Sequence, residues 1–135
     1  MDNESKGKII EIKGARLSME EDGILRMNVD YRNAITIKDI KDLHAATIKI
    51  SGGSKTAVLV KRTDFTGYKG ISRDARAYAA GEEGMKVFKA VAILIANSVM
   101  RMSANFFIKL NRPPFPIRMF TSENEALVWL RGFLT

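Results

Sequence analysis

Asn105-Phe106-Phe107-Ile108-Lys109-Leu110-Asn111-Arg112-Pro113-Pro114-Phe115-Pro116-Ile117-Arg118-Met119-Phe120, followed by Ser122-Glu123-Asn124-Glu125, decides the fold. Within the wider stretch from Asn97 to Leu134 it reads as helix, proline break, short strand and capped helix. Asn97 or Ser98 opens the first helix, and Val99, Met102, Phe106 and Leu110 recur at helical spacing with Phe107 beside them. That spacing predicts an inward apolar face. Pro113-Pro114 ends the helix, because proline lacks the amide hydrogen and restrains the residue before it. Pro116 to Thr121 supplies a strand, with the proline at its start suiting a strand end or an edge. Ser122 to Glu125 is a capping box, and the helix after it turns Ala126, Leu127, Leu130 and Leu134 inward, with Trp129 at the margin.

Working outward, the upstream chain predicts the same alternation. Met1 to Ala15 reads as a tail or a short extra strand at 9–12, and 16–135 as one domain. Leu17 and Met19, then Leu25, Met27 and Val29, alternate around an Asp22-Gly23 turn, which predicts a hairpin. Ile37, Ile40, Leu43, Thr47 and Ile50 predict a helix over 36–50, stopped by Gly52-Gly53. Ala57 to Val60 predicts a buried parallel strand, and Val87 to Ala96 a longer, central one. Between them, 63–71 reads as a loop, Ser72 as the N-cap of a helix carrying Ala75, Tyr78 and Ala79, and 81–84 as a break. Strands alternating with helices at this spacing imply an α/β sheet, mixed because of the hairpin.

The 135 residues suit one domain with a core of its own. Hydrophobic residues are 46% and charged residues 27%, within the range of globular domains. There is no cysteine, which excludes disulfides, thiolate metal sites and a cysteine nucleophile, and fits a reducing cytoplasm. No apolar h-region follows the polar N-terminus, and the longest apolar run, Ala90 to Ala96, is too short to span a bilayer. The expectation is a cytoplasmic protein that is not an integral membrane protein. The net charge of +7 admits anionic partners. Its cations are scattered and no nucleic-acid reading motif accompanies them, so nucleic acid is disfavoured. One local bias stands out: from Asn97 to Phe120 there are Arg101, Lys109, Arg112 and Arg118, and no acid.

The ordered series Glu21-Asp22-Gly23, Ser51-Gly52-Gly53, Asn105-Phe106-Phe107, Asn111-Arg112-Pro113, Phe120-Thr121, Glu125-Ala126 and Trp129-Leu130 resembles that of the bacterial STAS/SEC14-like proteins of unknown function. These are SpoIIAA-like, with the fold of anti-sigma-factor antagonists. The resemblance covers about 16–130. It implies a STAS-like (βα)n superhelix: a mixed, mostly parallel sheet of about five strands, an N-terminal hairpin and four helices chiefly on one face. In STAS regulators a serine at the start of a helix is phosphorylated by a partner kinase. The matching segment is Gly70-Ile71-Ser72-Arg73-Asp74-Ala75, which makes Ser72 a candidate phosphoacceptor. It lacks the preceding acid and the following glycine of that motif.

Two candidate surfaces follow. Asp64, Thr66, Tyr68, Arg73 and Arg76 surround Ser72 and form a candidate protein-binding segment over 64–78. Met102, Phe106 and Phe107 with Arg101, Lys109 and Arg112 form a candidate site for a hydrophobic small molecule or an anionic membrane surface, since Met and Phe line adaptable apolar sites. His44, the only histidine, has no second histidine at helical spacing and reads as structural or solvent-facing. No catalytic constellation, metal site or cofactor motif is found. The expected role is a non-enzymatic regulatory module binding a protein partner, with lipid or membrane binding as the alternative and a homodimer compatible with either.

Overall fold

The computed structural model describes residues 8–31, 33–62 and 70–134, apart from the side chains of Arg62, Phe107 and Asn111. Six strands form one sheet in chain order: β1 (Lys8–Ile12), β2 (Ala15–Met19), β3 (Ile24–Val29), β4 (Thr56–Arg62), β5 (Phe88–Leu94) and β6 (Ile117–Phe120). β1, β2 and β3 pair antiparallel, and β3 through β6 pair parallel. The sheet is therefore mixed and mostly parallel as expected, with six strands rather than about five. The extra one is β1, whose register sets Ile10 opposite Leu17 and Ile12 opposite Ala15. Of the two readings of 1–15, a tail or a short extra strand at 9–12, the structure shows the strand.

The helices are α1 (Ile37–Ser51), α2 (Arg73–Ala80), α3 (Glu82–Val87), α4 (Ser98–Asn111) and α5 (Glu123–Arg131). Thr36 caps α1 through a box with Asp39, and Gly52 closes it at φ 70. That left-handed geometry is open to glycine at no steric cost. The expected break at 81–84 is confined to Gly81, whose extended backbone ends α2; from Glu82 the chain is α3. Gly84 sits inside it because a Cβ there would collide with the Ala79 backbone carbonyl and lie 2.7 Å from the Phe115 ring.

Side-chain alternation divides the core into two layers. Leu17, Leu25, Met27, Val29, Val58 and Val91 face α1, α2 and α3. Ile24, Ala57, Leu59, Ala90, Ala92 and Phe120 face α5 through Ala126 and Leu130. Each crossover steps to the next strand in the same direction, so right-handed connections place their helices on one face. α5 follows the last strand with no strand left to reach, and folds back over the other. Leu17, Ile24, Leu25, Leu59 and Leu130 are each fully buried, worth about 1.5–3 kcal/mol apiece.

Candidate functional site

Helix α4 departs most from the sequence expectation. Asn97 caps it, accepting from the Val99 and Met100 amides at 2.8 and 3.1 Å. At its other end Arg112 takes the left-handed conformation (φ 47) and donates its amide to the Ile108 carbonyl, and the prolines beyond prevent another turn. The face turned toward the sheet is not the apolar stripe. Arg101, Ala104, Asn105 and Ile108 are half-buried, whereas Val99, Met102, Phe106 and Leu110 are 63–72% exposed. The expected inward face is the outward one.

Asn105 is the physical reason. Its amide oxygen accepts from the Met119 N–H at 2.8 Å, and its amide nitrogen donates to the Met119 carbonyl at 3.1 Å. In a parallel ladder alternate residues bond to the neighbouring strand. The Pro116 and Phe120 carbonyls are taken by the Val91 and Ile95 amides of the β5 side, so Met119 presents its polar groups at the sheet edge. The side-chain amide of Asn105 fills that edge as a further strand would. Turning the stripe inward would rotate Asn105 away and leave the edge unpaired.

The outward surface is therefore an apolar ridge four residues long, about 16 Å from Val99 to Leu110 at the helical rise. Met100, 61% exposed, widens it. Lys109 flanks it and Arg112 lies at its end, both exposed. Arg118 on β6 is also exposed, with its guanidinium 5.2 Å from the Phe120 ring centre. Arg101 turns toward the sheet, its Nε buried without a hydrogen bond. Met102, Phe106, Lys109 and Arg112 thus come together as the sequence suggested, without Arg101; the Phe107 side chain lies outside the described residues. Val99 and Leu110 were missed as surface because periodicity locates a stripe without saying which way it faces.

The other candidate surface is seen in part. Asp64, Thr66 and Tyr68 lie outside the described residues. Ser72 caps α2: its Oγ accepts from the Ala75 amide at 3.2 Å and donates to the Asp74 carboxylate at 2.6 Å. The Ser72 hydroxyl, aided by the Ala75 and Asp74 amides, holds the Asp74 carboxyl below its usual range. A phosphoryl group on Ser72 would meet that carboxylate at close range, with Arg73 and Arg76 exposed nearby on the same helix. Gly70 and Ser72 bond the Ile35 backbone on either side, which ties the start of α2 to the start of α1.

His44 is buried rather than solvent-facing. Among the described residues no cluster of three or more His, Cys, Asp or Glu is placed to hold a metal. No described helix is long and apolar enough to cross a membrane. A depression of about 380 Å³, lined by Gly14, Ala15, Arg16, Asn28 and Asp30, holds none of the sequence candidates.

Comparison with known proteins adds the family and the fold. The model of DUF7793, a domain of unknown function, matches residues 17–134. No curated protein matches. Among solved structures, the chain is similar to an uncharacterized protein of the DUF3478 family with a SpoIIAA-like fold from Shewanella loihica PV-4. The TM-score is 0.54 at 18% identity, over 91% of this chain and 90% of that one. The resemblance read from the sequence is thereby supported as a fold. A protein of unknown function from Arthrobacter sp. FB24 is 32% identical over 88% of this chain and 99% of that one, with a TM-score of 0.29.

Proposed function

Since the chain belongs to the DUF7793 family, whose description names no activity, we propose from the geometry of α4 that it is a non-enzymatic interaction module docking onto anionic membrane surfaces. One observation carries this reading: Val99, Met102, Phe106 and Leu110 form an exposed ridge on a helix whose opposite face is already held by the sheet edge. Contiguous exposed apolar surface of this kind marks an interaction site. The flanking charge selects the occupant. Lys109 and Arg112 are exposed, and no acid lies between Asn97 and Phe120. A helix with Phe and Leu on one side and cations at its margin lies in a lipid interface, its apolar face among the acyl chains and its cations at the headgroups. Each cation near an anionic bilayer adds about 1 kcal/mol.

Vesicle flotation tests this with the full chain. Binding is expected to phosphatidylcholine vesicles containing about one third phosphatidylglycerol, with weakening as salt is raised. Phe106→Glu removes about 2 kcal/mol of burial and adds a like charge, a loss of at least 30-fold. No flotation of the wild type, or equal flotation of Phe106→Glu, overturns the reading. In that event an apolar groove on a protein partner becomes the occupant to seek, as it would for the regulatory role expected from the STAS resemblance.

A further inference from the structure

His44 is the only histidine in the chain, and α1 carries it into the contact with α2 and α3. The residue is 6% exposed. Its ring stacks on Tyr78 of α2, with centroids 5.4 Å apart and planes 28° from parallel. Its other neighbour is Phe88, at the start of β5, met edge-on at 5.2 Å. Phe88 in turn touches Phe115, whose ring sits beside Gly84 of α3. One imidazole is thus an inner member of a four-ring aromatic column joining three helices to the sheet. Its Nε2 is buried and has no hydrogen-bond partner. Buried polar atoms are paired in the great majority of cases, so an orphan at a packing centre calls for a role.

The surroundings favour the neutral ring. From α1, Lys41 holds its ammonium 5.6 Å over the Tyr78 ring, adding positive charge beside the column. From α2 comes Tyr78 itself, and β5 contributes the apolar Phe88. From α3, Glu83 favours the charged ring, but it is paired with Lys86 at 3.2 Å, and burial outweighs it.

We infer that His44 is an acid-sensitive latch: protonation drives the ring out of the Tyr78–Phe88 slot and loosens α2 and α3 from α1, leaving α5 and the strands beneath it in place. The latch is independent of the α4 reading. It acts on the segment that carries Ser72, Arg73 and Arg76. Burial lowers the pKa of His44 below its ordinary 6.5. A released ring takes up its proton near 6.5, so the latch is fully closed above that pH. It weakens as the pH falls from there toward the depressed value, and no further below it.

Amide hydrogen exchange on the full chain, corrected for intrinsic rates, tests this at pH 7.5 and 5.5. Protection over 73–87 is expected to drop by up to about tenfold at pH 5.5, the factor set by one unit below the ordinary histidine pKa. Protection over 123–131 stays level. His44→Phe keeps an aromatic ring in the slot and is expected to abolish the difference. Equal protection at both pH values in the wild type overturns the latch, as does a pH-dependent loss that persists in His44→Phe. Proton NMR titration of the His44 ring in the wild-type protein decides the matter without a variant: a pKa at or above 6.5 refutes it.

Discussion

Asn105→Ala cuts the tie that sets which face of α4 meets solvent. Two hydrogen bonds are lost, Met119 N–H to the Asn105 oxygen at 2.8 Å and the Asn105 amide to the Met119 carbonyl at 3.1 Å, both half-buried. A typical hydrogen bond contributes a net 0.5–1.5 kcal/mol, and a buried group left unpaired costs more. Water reaches the outer edge of β6 in part, so the expected loss is about 2 kcal/mol. For a chain of this length that corresponds to a melting temperature lower by roughly 6–10 °C. Urea denaturation followed by circular dichroism reads the stability. Amide exchange localises it: Met119 should exchange freely in the variant. The Ile95 amide, bonded to the Phe120 carbonyl, should keep its protection. A loss under about 0.5 kcal/mol with Met119 still protected would refute the role given to Asn105, and with it the reason the apolar ridge faces outward.

Gly14→Ala is expected to cost about 3 kcal/mol in urea denaturation: Gly14 has φ +85, and a Cβ there would collide with the ring of the buried Tyr31. Ser72→Ala removes the α2 cap and is expected to lower stability by about 1 kcal/mol in the same assay. Vesicle flotation of that variant should match the wild type, because Ser72 belongs to a different helix from the ridge.

The sequence made some parts of this structure legible through local chemistry. Asp22-Gly23 announces the hairpin, Gly52 ends α1, Pro113-Pro114 ends α4, and Ser122 caps α5, accepting from the Glu125 amide. Each signal acts within a few residues of where it stands, so no tertiary knowledge is needed to read it. The failures all depend on distant partners. β1 was legible only as one of two alternatives, because the pairing that settles it is made with β2 and not within its own five residues. Gly81 breaks the helix as read, but Gly84 is a packing residue answering to the Ala79 carbonyl and the Phe115 ring. The orientation of α4 turns on Asn105 finding a backbone 14 residues downstream. Periodicity reports how apolar residues cluster around a helix, and only the partner decides which side is buried. For the same reason the sequence left His44 as either structural or solvent-facing, since Tyr78 and Phe88, which pack it, come from other elements.

The chain has no cysteine, so a single introduced thiol carries a probe to one place. The most direct measurement labels Phe106→Cys on the α4 ridge and Val128→Cys on α5 with a polarity-sensitive fluorophore. Both residues are about equally exposed, at 65% and 64%, so the free proteins should give similar spectra. On adding vesicles with phosphatidylglycerol, the probe at 106 should shift to the blue and that at 128 should not. No shift at 106, or equal shifts at both positions, would contradict docking through α4.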